Sequence, residues 1–360
     1  MILRRIYRGK PIGKKDYFWI FAWRILLRYQ WQSLKLHITN KCNLKCSHCY
    51  VHKNSASMLD KKIVFQVLKR LKIRNNTRLD LMGGEPLLHP YLFDIVRYAK
   101  SLSYIRKIQL YTNGIGLTGD VSKKIKDSGI DNVIVSLFSC NKNIYDTNVG
   151  IEGAWENVVK GVGNLVSQGV RTYFLIVVNS KNVDYLDDFE QLSKSLGIKT
   201  IYFPYIQQKA DDHFCIRDKG KYQDSIRWMF NKSDKYRIKV IEFIKRHKTI
   251  CNAFPKSLTV TSKGEVKPCP FVRMNFGNIY CQEIDKIIIN ACFSPDLAGF
   301  LAIPKECSGC SIIDKCGGGC KALNYNDKYC SIINTTNTCC GPYLKDINYE
   351  DLGEYLPFFE

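Results

Sequence analysis

"LKLHITNKCNLKCSHCY", residues 34–50, decides the fold. Its first half alternates apolar and polar residues, the period of a strand with one buried face. Its second half packs Cys42, Cys46 and Cys49 into eight positions directly behind that strand, with no fourth thiol beside them. Chemistry-bearing residues behind a strand suit an α/β sheet, whose sites lie at the carboxyl ends of parallel strands.

The same alternation of strand and helix continues along the chain. "LDKKIVFQVLKRLK" has helical period, "RLDLMGG" reads as a strand and "YLFDIVRYAKSL" as a helix. "IRKIQLYTNG", "DNVIVSLF", "RTYFLIVV" and "TIYFPYI" give four more strands, separated by the helical "VSKKIKDSG", "AWENVVKGVGNLVSQG" and "VDYLDDFEQLSKSLG". Six βα units predict a parallel sheet with right-handed crossovers, either doubly wound or a partial barrel. The unusual residues fall at strand ends: the cysteine loop after the first, "GGEP" (Gly83, Gly84, Glu85, Pro86) after the second, "TNG" with Asn113 after the third, and Ser136 toward the end of the fourth. Beyond about residue 210 the alternation stops, and a cysteine-rich region follows two helical stretches.

Composition narrows the function. The 360 residues include 45% hydrophobic side chains, enough for a large core. The basic start runs into an aromatic stretch without a cleavage site, and the longest apolar run, "YFWIFAW", is far too short to span a bilayer, so a cytoplasmic protein is expected. In a reducing cytosol sixteen cysteines point to metal binding or catalysis rather than disulfides. The net charge of +21 suits an acidic partner, but the basic residues are dispersed and no nucleic-acid motif is present, so nucleic acid is not expected.

An iron–sulfur cube needs one ligand per iron, so three thiolates from one loop fix three irons and leave the fourth open. An open metal position is where a small molecule binds, and an amine with a carboxylate can chelate it. Three close cysteines alone would also suit part of a zinc site, and Gly-Gly-Glu-Pro alone would be only a turn. Farther on, Cys307, Cys310, Cys316 and Cys320 are separated by two, five and three residues, a pattern that zinc could also take. Cys140, Cys215, Cys281 and Cys292 read as ordinary small buried side chains.

Cys42, Cys46 and Cys49, followed by Tyr50 and by "GGEP" after the next strand, resemble the cluster loop of the radical S-adenosylmethionine (SAM) superfamily. The resemblance implies a partial (β/α)6 TIM-like barrel whose [4Fe–4S] cluster cleaves SAM to a 5′-deoxyadenosyl radical. It also implies that Gly83, Gly84 and Glu85, with Pro86 beside them, contact the methionine amine of SAM, and that Asn113, Ser136 and Asn179 face its ribose or adenine. The family often has Asp where Phe138 stands.

The later cysteines resemble the SPASM extension, which carries two auxiliary [4Fe–4S] clusters and brings the implied total to three. Carried over, Cys251, Cys269 and Cys320 hold the first auxiliary cluster, and Cys307, Cys310, Cys316 and a terminal cysteine hold the second. Cys340 is preferred at the end, ahead of Cys339 and Cys330, because "CGPY" places Tyr343 as relatives do. The first auxiliary cluster then has three thiolates, and Cys281, Cys292, a non-cysteine group or an open iron completes it.

The expected organisation is a basic aromatic segment (1–33), the barrel (34–210), a helical linker (211–250), the SPASM extension (251–345) and an acidic tail (346–360). By resemblance the reaction is hydrogen abstraction from a peptide side chain, forming a cross-link in a ribosomally made peptide, and the charge of +21 would suit an acidic leader. Flavodoxin or ferredoxin would supply the electron, and a separate protein or the catalytic domain itself would recognise the leader. Two alternatives are oxidation of a sugar or alcohol and sulfatase-maturase-like oxidation; the second is disfavoured because Pro270 stands where those relatives carry an Asp base. The segment "DYFWIFAWRILLRYQW" is amphipathic, and packing on the barrel and lying on a membrane both suit it.

Overall fold

Strand β1 (Ser33–Thr39) sorts its side chains cleanly. Leu34, Leu36 and Ile38 are buried against Val64, Val67 and Leu68 in the apolar core, while Lys35, His37 and Thr39 alternate onto the other face. The computed structural model describes residues 33–46, 49–51, 56–71, 77–178, 181–204, 251, 253–303, 307 and 321–322. The N-terminal aromatic segment, the 211–250 linker and the tail expected from sequence lie outside the described residues, as do Asn179, Cys310, Cys316, Cys320, Cys330, Cys339 and Cys340.

Strands β2 (Thr77–Gly83), β3 (Ile105–Thr112), β4 (Asn132–Ser136), β5 (Thr172–Val178) and β6 (Lys199–Pro204) follow β1 in strictly sequential parallel order. A doubly wound sheet reverses its order at a switch point, and this one never does. Right-handed crossovers therefore put every connecting helix on the same face, and the sheet curls into a partial barrel. Those helices are α1 (Lys61–Arg70), α2 (Leu92–Lys100), α3 (Gly119–Ser128), α4 (Lys142–Val149), α5 (Ala154–Ser167) and α6 (Leu186–Ser195).

Helix ends follow local chemistry. Asp60 accepts from the Lys62 N–H at 2.7 Å to start α1, and Thr118 accepts from Val121 at 3.2 Å to start α3. Helix α4 was not expected, because "KNIYDTNV" lacks a long apolar stripe. Its caps carry it: Asn141 accepts from the Ile144 N–H at 3.2 Å, and Gly150 closes it in the left-handed region at φ 75°.

The sheet also extends past β1, which sequence periodicity missed because the strands are short. β7 (Ser257–Val260) pairs parallel with β1, and β8 (Glu265–Lys267) and β9 (Gly277–Asn278) add on antiparallel, giving nine strands. Helices α7 (Ile284–Ala291) and α8 (Pro295–Leu301) follow, and Arg70 at the end of α1 pairs with Glu283 before α7 at 2.5 Å. No described helix is long and apolar enough to cross a membrane.

Paired residues on neighbouring parallel strands share a face. From Lys35 and His37 the register carries the concave, helix-free face to Arg78, Asp80 and Met82, then to Gln109 and Asn132, and across the other edge to Ser257 and Thr259. The convex face is apolar, whereas the lumen is polar along β1, β2 and β7 and turns more apolar at β5 and β6, where Tyr173, Leu175 and Ile201 face it.

Candidate functional site: the cysteine loop and its clasp

The loop that leaves β1 is held from three sides. Gly84 N–H donates to the Thr39 carbonyl at 2.7 Å, Glu85 N–H to the Lys41 carbonyl at 2.8 Å, and Lys45 N–H to the Val149 carbonyl at the end of α4 at 3.1 Å. Leu44 N–H also donates to Cys42 Sγ at 3.4 Å, and Cys49 N–H to the Cys46 carbonyl at 3.4 Å. Cys42, Cys46 and Cys49 thus sit half-buried on one backbone frame.

The glycines of "GGEP" are needed for close approach. A Cβ on Gly83 would stand 2.2 Å from the Thr39 carbonyl oxygen, and one on Gly84 would stand 2.4 Å from that of Lys41 and 2.6 Å from that of Asn40. Gly83 also has φ 149°, which L side chains rarely adopt. Strand β2 therefore ends pressed against the cysteine loop.

Glu85 lies beneath that contact, 1% exposed. Its carboxylate accepts from Leu87 N–H at 3.1 Å, Thr112 Oγ1 at 2.8 Å and Asn113 N–H at 2.7 Å. Burial pushes its carboxyl up to about 7, and the three hydrogen bonds pull the other way. Sequence placed Glu85 at the SAM amine. The structure shows a carboxylate with about four acceptor directions, three of them already used inside the protein.

Asn113 completes the clasp. Its Nδ2 donates to Asn43 Oδ1 at 2.8 Å and lies 3.8 Å from Cys42 Sγ, and its Oδ1 accepts from Ile115 N–H at 3.0 Å. Pro86 is buried at the start of a short 3-10 turn, and Ser136 is exposed at the end of β4. The structure brings Cys42, Cys46, Cys49, Gly83, Gly84, Glu85 and Asn113 to one end of the sheet, with Ser136 at the end of a neighbouring strand.

These residues fit an iron–sulfur cluster by the chemistry of their donors: three soft thiols on one frame, with a neighbouring strand end that has no room for side chains. Burial raises the Cys42 thiol, and the nearby Glu85 and Cys49 raise it further; a thiol gives up its proton when it ligates a metal. Among the described residues no three Cys, His, Asp or Glu side chains converge closely enough for one ion. A cube gives each ligand its own iron and needs them spread apart.

Tyr50, which the sequence showed only as part of the motif, packs edge-on between His37 of β1 (ring centroids 5.9 Å apart) and Phe271 (5.1 Å). It thereby joins the cysteine loop to the segment carrying Cys269. Cys269 is buried, its thiol is pushed up to about 12 by burial, and Lys35 and Cys251 act on it electrostatically. Cys251 and Cys307 are half-buried.

The family model for the radical SAM superfamily matches residues 36–192. The chain carries a radical SAM domain. A second family model, the SPASM iron–sulfur cluster-binding domain, matches residues 251–311 of this radical SAM protein. A probable GTP 3′,8-cyclase of Saccharolobus islandicus is 30% identical over 174 residues, spanning 48% of the chain and only 56% of the cyclase. AlbA of Bacillus subtilis, an antilisterial bacteriocin subtilosin biosynthesis protein, is 24% identical over 340 residues, covering 89% of the chain and 72% of AlbA.

Native anSMEcpe with bound AdoMet shares the fold at a TM-score of 0.63 and 19% identity, covering 90% of the chain and 96% of anSMEcpe. Streptococcus suis SuiB bound to the precursor peptide SuiA does so at 0.61 and 14%, covering 86% and 76%. The partial barrel with a cysteine-rich extension is thus the fold, and its two matched segments are a radical SAM domain and an iron–sulfur cluster-binding domain.

Proposed function

We propose that this radical SAM protein is a peptide maturase that abstracts hydrogen from a side chain of a ribosomally made peptide and leaves a cross-link. The observation that carries the reading is the likeness to AlbA, which runs through both domains over 89% of the chain, whereas the cyclase likeness spans 48%. Relatives of the same fold were solved with peptides: SuiB with SuiA, and anSMEcpe with a Cp18Cys peptide.

Cys42, Cys46 and Cys49 would hold the cluster through three irons. Bound there, a [4Fe–4S] cluster supplies the electron that cleaves SAM to methionine and a 5′-deoxyadenosyl radical. The Gly83–Gly84 backbone would face the methionine amine, with the last acceptor direction of Glu85 beside it. Asn113 orients the loop by its bond to Asn43 and, with Ser136 and Asn179, would face the nucleoside. Cys251, Cys269 and Cys320 would hold one auxiliary cluster, and Cys307, Cys310, Cys316 and Cys340 a second, three clusters in all.

Pro270 follows Cys269 directly and supplies no base, which disfavours sulfatase-type oxidation. The charge of +21 suits an acidic leader, and flavodoxin or ferredoxin would serve as reductant. The test is incubation of the reconstituted protein with SAM, reductant and small precursor peptides encoded beside it, read by mass spectrometry. A product lighter by two hydrogens supports the reading. Unchanged peptides, with turnover on small alcohols or sugars instead, would replace it with a dehydrogenase.

A further inference from the structure

Seven buried side-chain polar atoms lack a partner among the described residues, and five of them point into the barrel lumen: Ser33 Oγ, His37 Nε2, both amide atoms of Asn132, and Thr259 Oγ1. Orphaned polar atoms are costly in a closed interior, so each calls for a partner that the described residues do not supply. Of the five, only His37 Nε2 is a metal ligand by nature.

Its position relative to the auxiliary cysteines is set by the sheet. β7 pairs with β1, and β8 pairs with β7 so that Lys267 lies opposite Thr259, on the concave face that carries Lys35 and His37. Cys269 follows two residues after Lys267 and feels the Lys35 ammonium, which acts on His37 as well. Tyr50 is in ring contact with His37, and the charge of Cys269 acts on its hydroxyl. Tyr50 thus stands between His37 and the segment that carries Cys269, through ring contacts to His37 and Phe271, and Lys35 acts on both groups.

Competing donors are placed elsewhere or already engaged. Cys281 is exposed, and Cys292 caps the end of α7, a helix that packs against α1 in the outer layer. Asp80 is tied to Arg78 at 2.7 Å, and Glu265 pairs with Lys267 at 3.5 Å. Lys35 and Lys267 meanwhile bring two positive charges to His37, which suits the negative charge of a thiolate-ligated cluster.

We propose that His37 Nε2 is a protein ligand of the auxiliary iron–sulfur cluster that Cys251 and Cys269 hold. The inference rests on the SPASM reading and adds a mixed cysteine and histidine ligation to it. Replacing thiolate by neutral imidazole raises the potential of a cluster, so this auxiliary cluster would be the more ready electron acceptor.

The experiment is pulsed EPR on the full-length protein, reconstituted anaerobically without SAM, reduced, and prepared with natural or 15N-labelled histidine. A Cys42→Ala/Cys46→Ala/Cys49→Ala variant isolates the auxiliary signals. A strong nitrogen coupling that changes isotope with the label and vanishes in His37→Ala is expected. His37→Cys should keep iron and sulfide content, lose the coupling and show a lower midpoint potential. An iron-loaded auxiliary cluster without histidine coupling, or coupling that persists in His37→Ala, overturns the proposal. Absence of auxiliary iron altogether would instead show that the SPASM reading beneath it had failed. Absence of histidine coupling in the labelled, iron-loaded wild type overturns the proposal even where a variant does not fold.

Discussion

Glu85 Oε2 accepts the Asn113 backbone N–H at 2.7 Å, and this bond ties the end of β2 to the end of β3 directly beneath the cysteine loop. The folded-state carboxyl sits near 7 against an ordinary 4.5. A raised acid binds its proton more tightly when folded, so its contribution to stability is fullest below pH 4.5 and is lost as pH rises through 7. The loss across that window is on the order of 3 kcal/mol. Urea unfolding of the metal-free protein at pH 5 and pH 7.5 should show this decline, and Glu85→Gln should flatten it.

Gly84→Ala should push the loop away from β2, because its Cβ would meet the Lys41 and Asn40 carbonyl oxygens at 2.4 and 2.6 Å. Iron content after reconstitution should fall, and SAM cleavage should drop at least tenfold. Iron and sulfide assays beside deoxyadenosine chromatography check it; full loading with normal turnover would show that the loop tolerates the shift.

Much of this was legible in the sequence, for identifiable reasons. Lys35, His37 and Thr39 alternating with Leu34, Leu36 and Ile38 state which face of β1 is buried, and six such units state a parallel sheet. Their order, which excludes the doubly wound form, is a tertiary property that no period encodes. β7 to β9 were missed because strands of four, three and two residues carry almost no periodicity. The site cysteines and glycines were visible as motifs. The internal engagement of Glu85 and the orphaned Nε2 of His37 depend on neighbours distant in sequence, which alone decide whether a polar atom has a partner.

Arg78 and fully buried Asp80 form a two-pronged pair in the lumen, at 2.7 and 2.9 Å. Arg78→Met alone strands a buried carboxylate and should cost about 3–5 kcal/mol. Arg78→Met with Asp80→Leu should recover most of that loss. Denaturant unfolding of the three proteins measures it, and equal loss in the single and double variants would contradict the pairing.

Cys292 lies in the outer helix layer and Cys281 is exposed. Cys292→Ser and Cys281→Ser should therefore leave iron and sulfide per chain unchanged, whereas Cys269→Ser should lower both. Iron lost in Cys292→Ser from a protein of unchanged helix content would place that thiol among the ligands.

The central claim is that the loop of Cys42, Cys46 and Cys49 clasped by Gly83, Gly84 and Glu85 runs radical chemistry on SAM. The most direct measurement is 5′-deoxyadenosine formed by the anaerobically reconstituted full-length protein given SAM and dithionite. Deoxyadenosine from the wild type and none from Cys46→Ala is the predicted result. No deoxyadenosine from a protein carrying its full iron and sulfide would contradict the account.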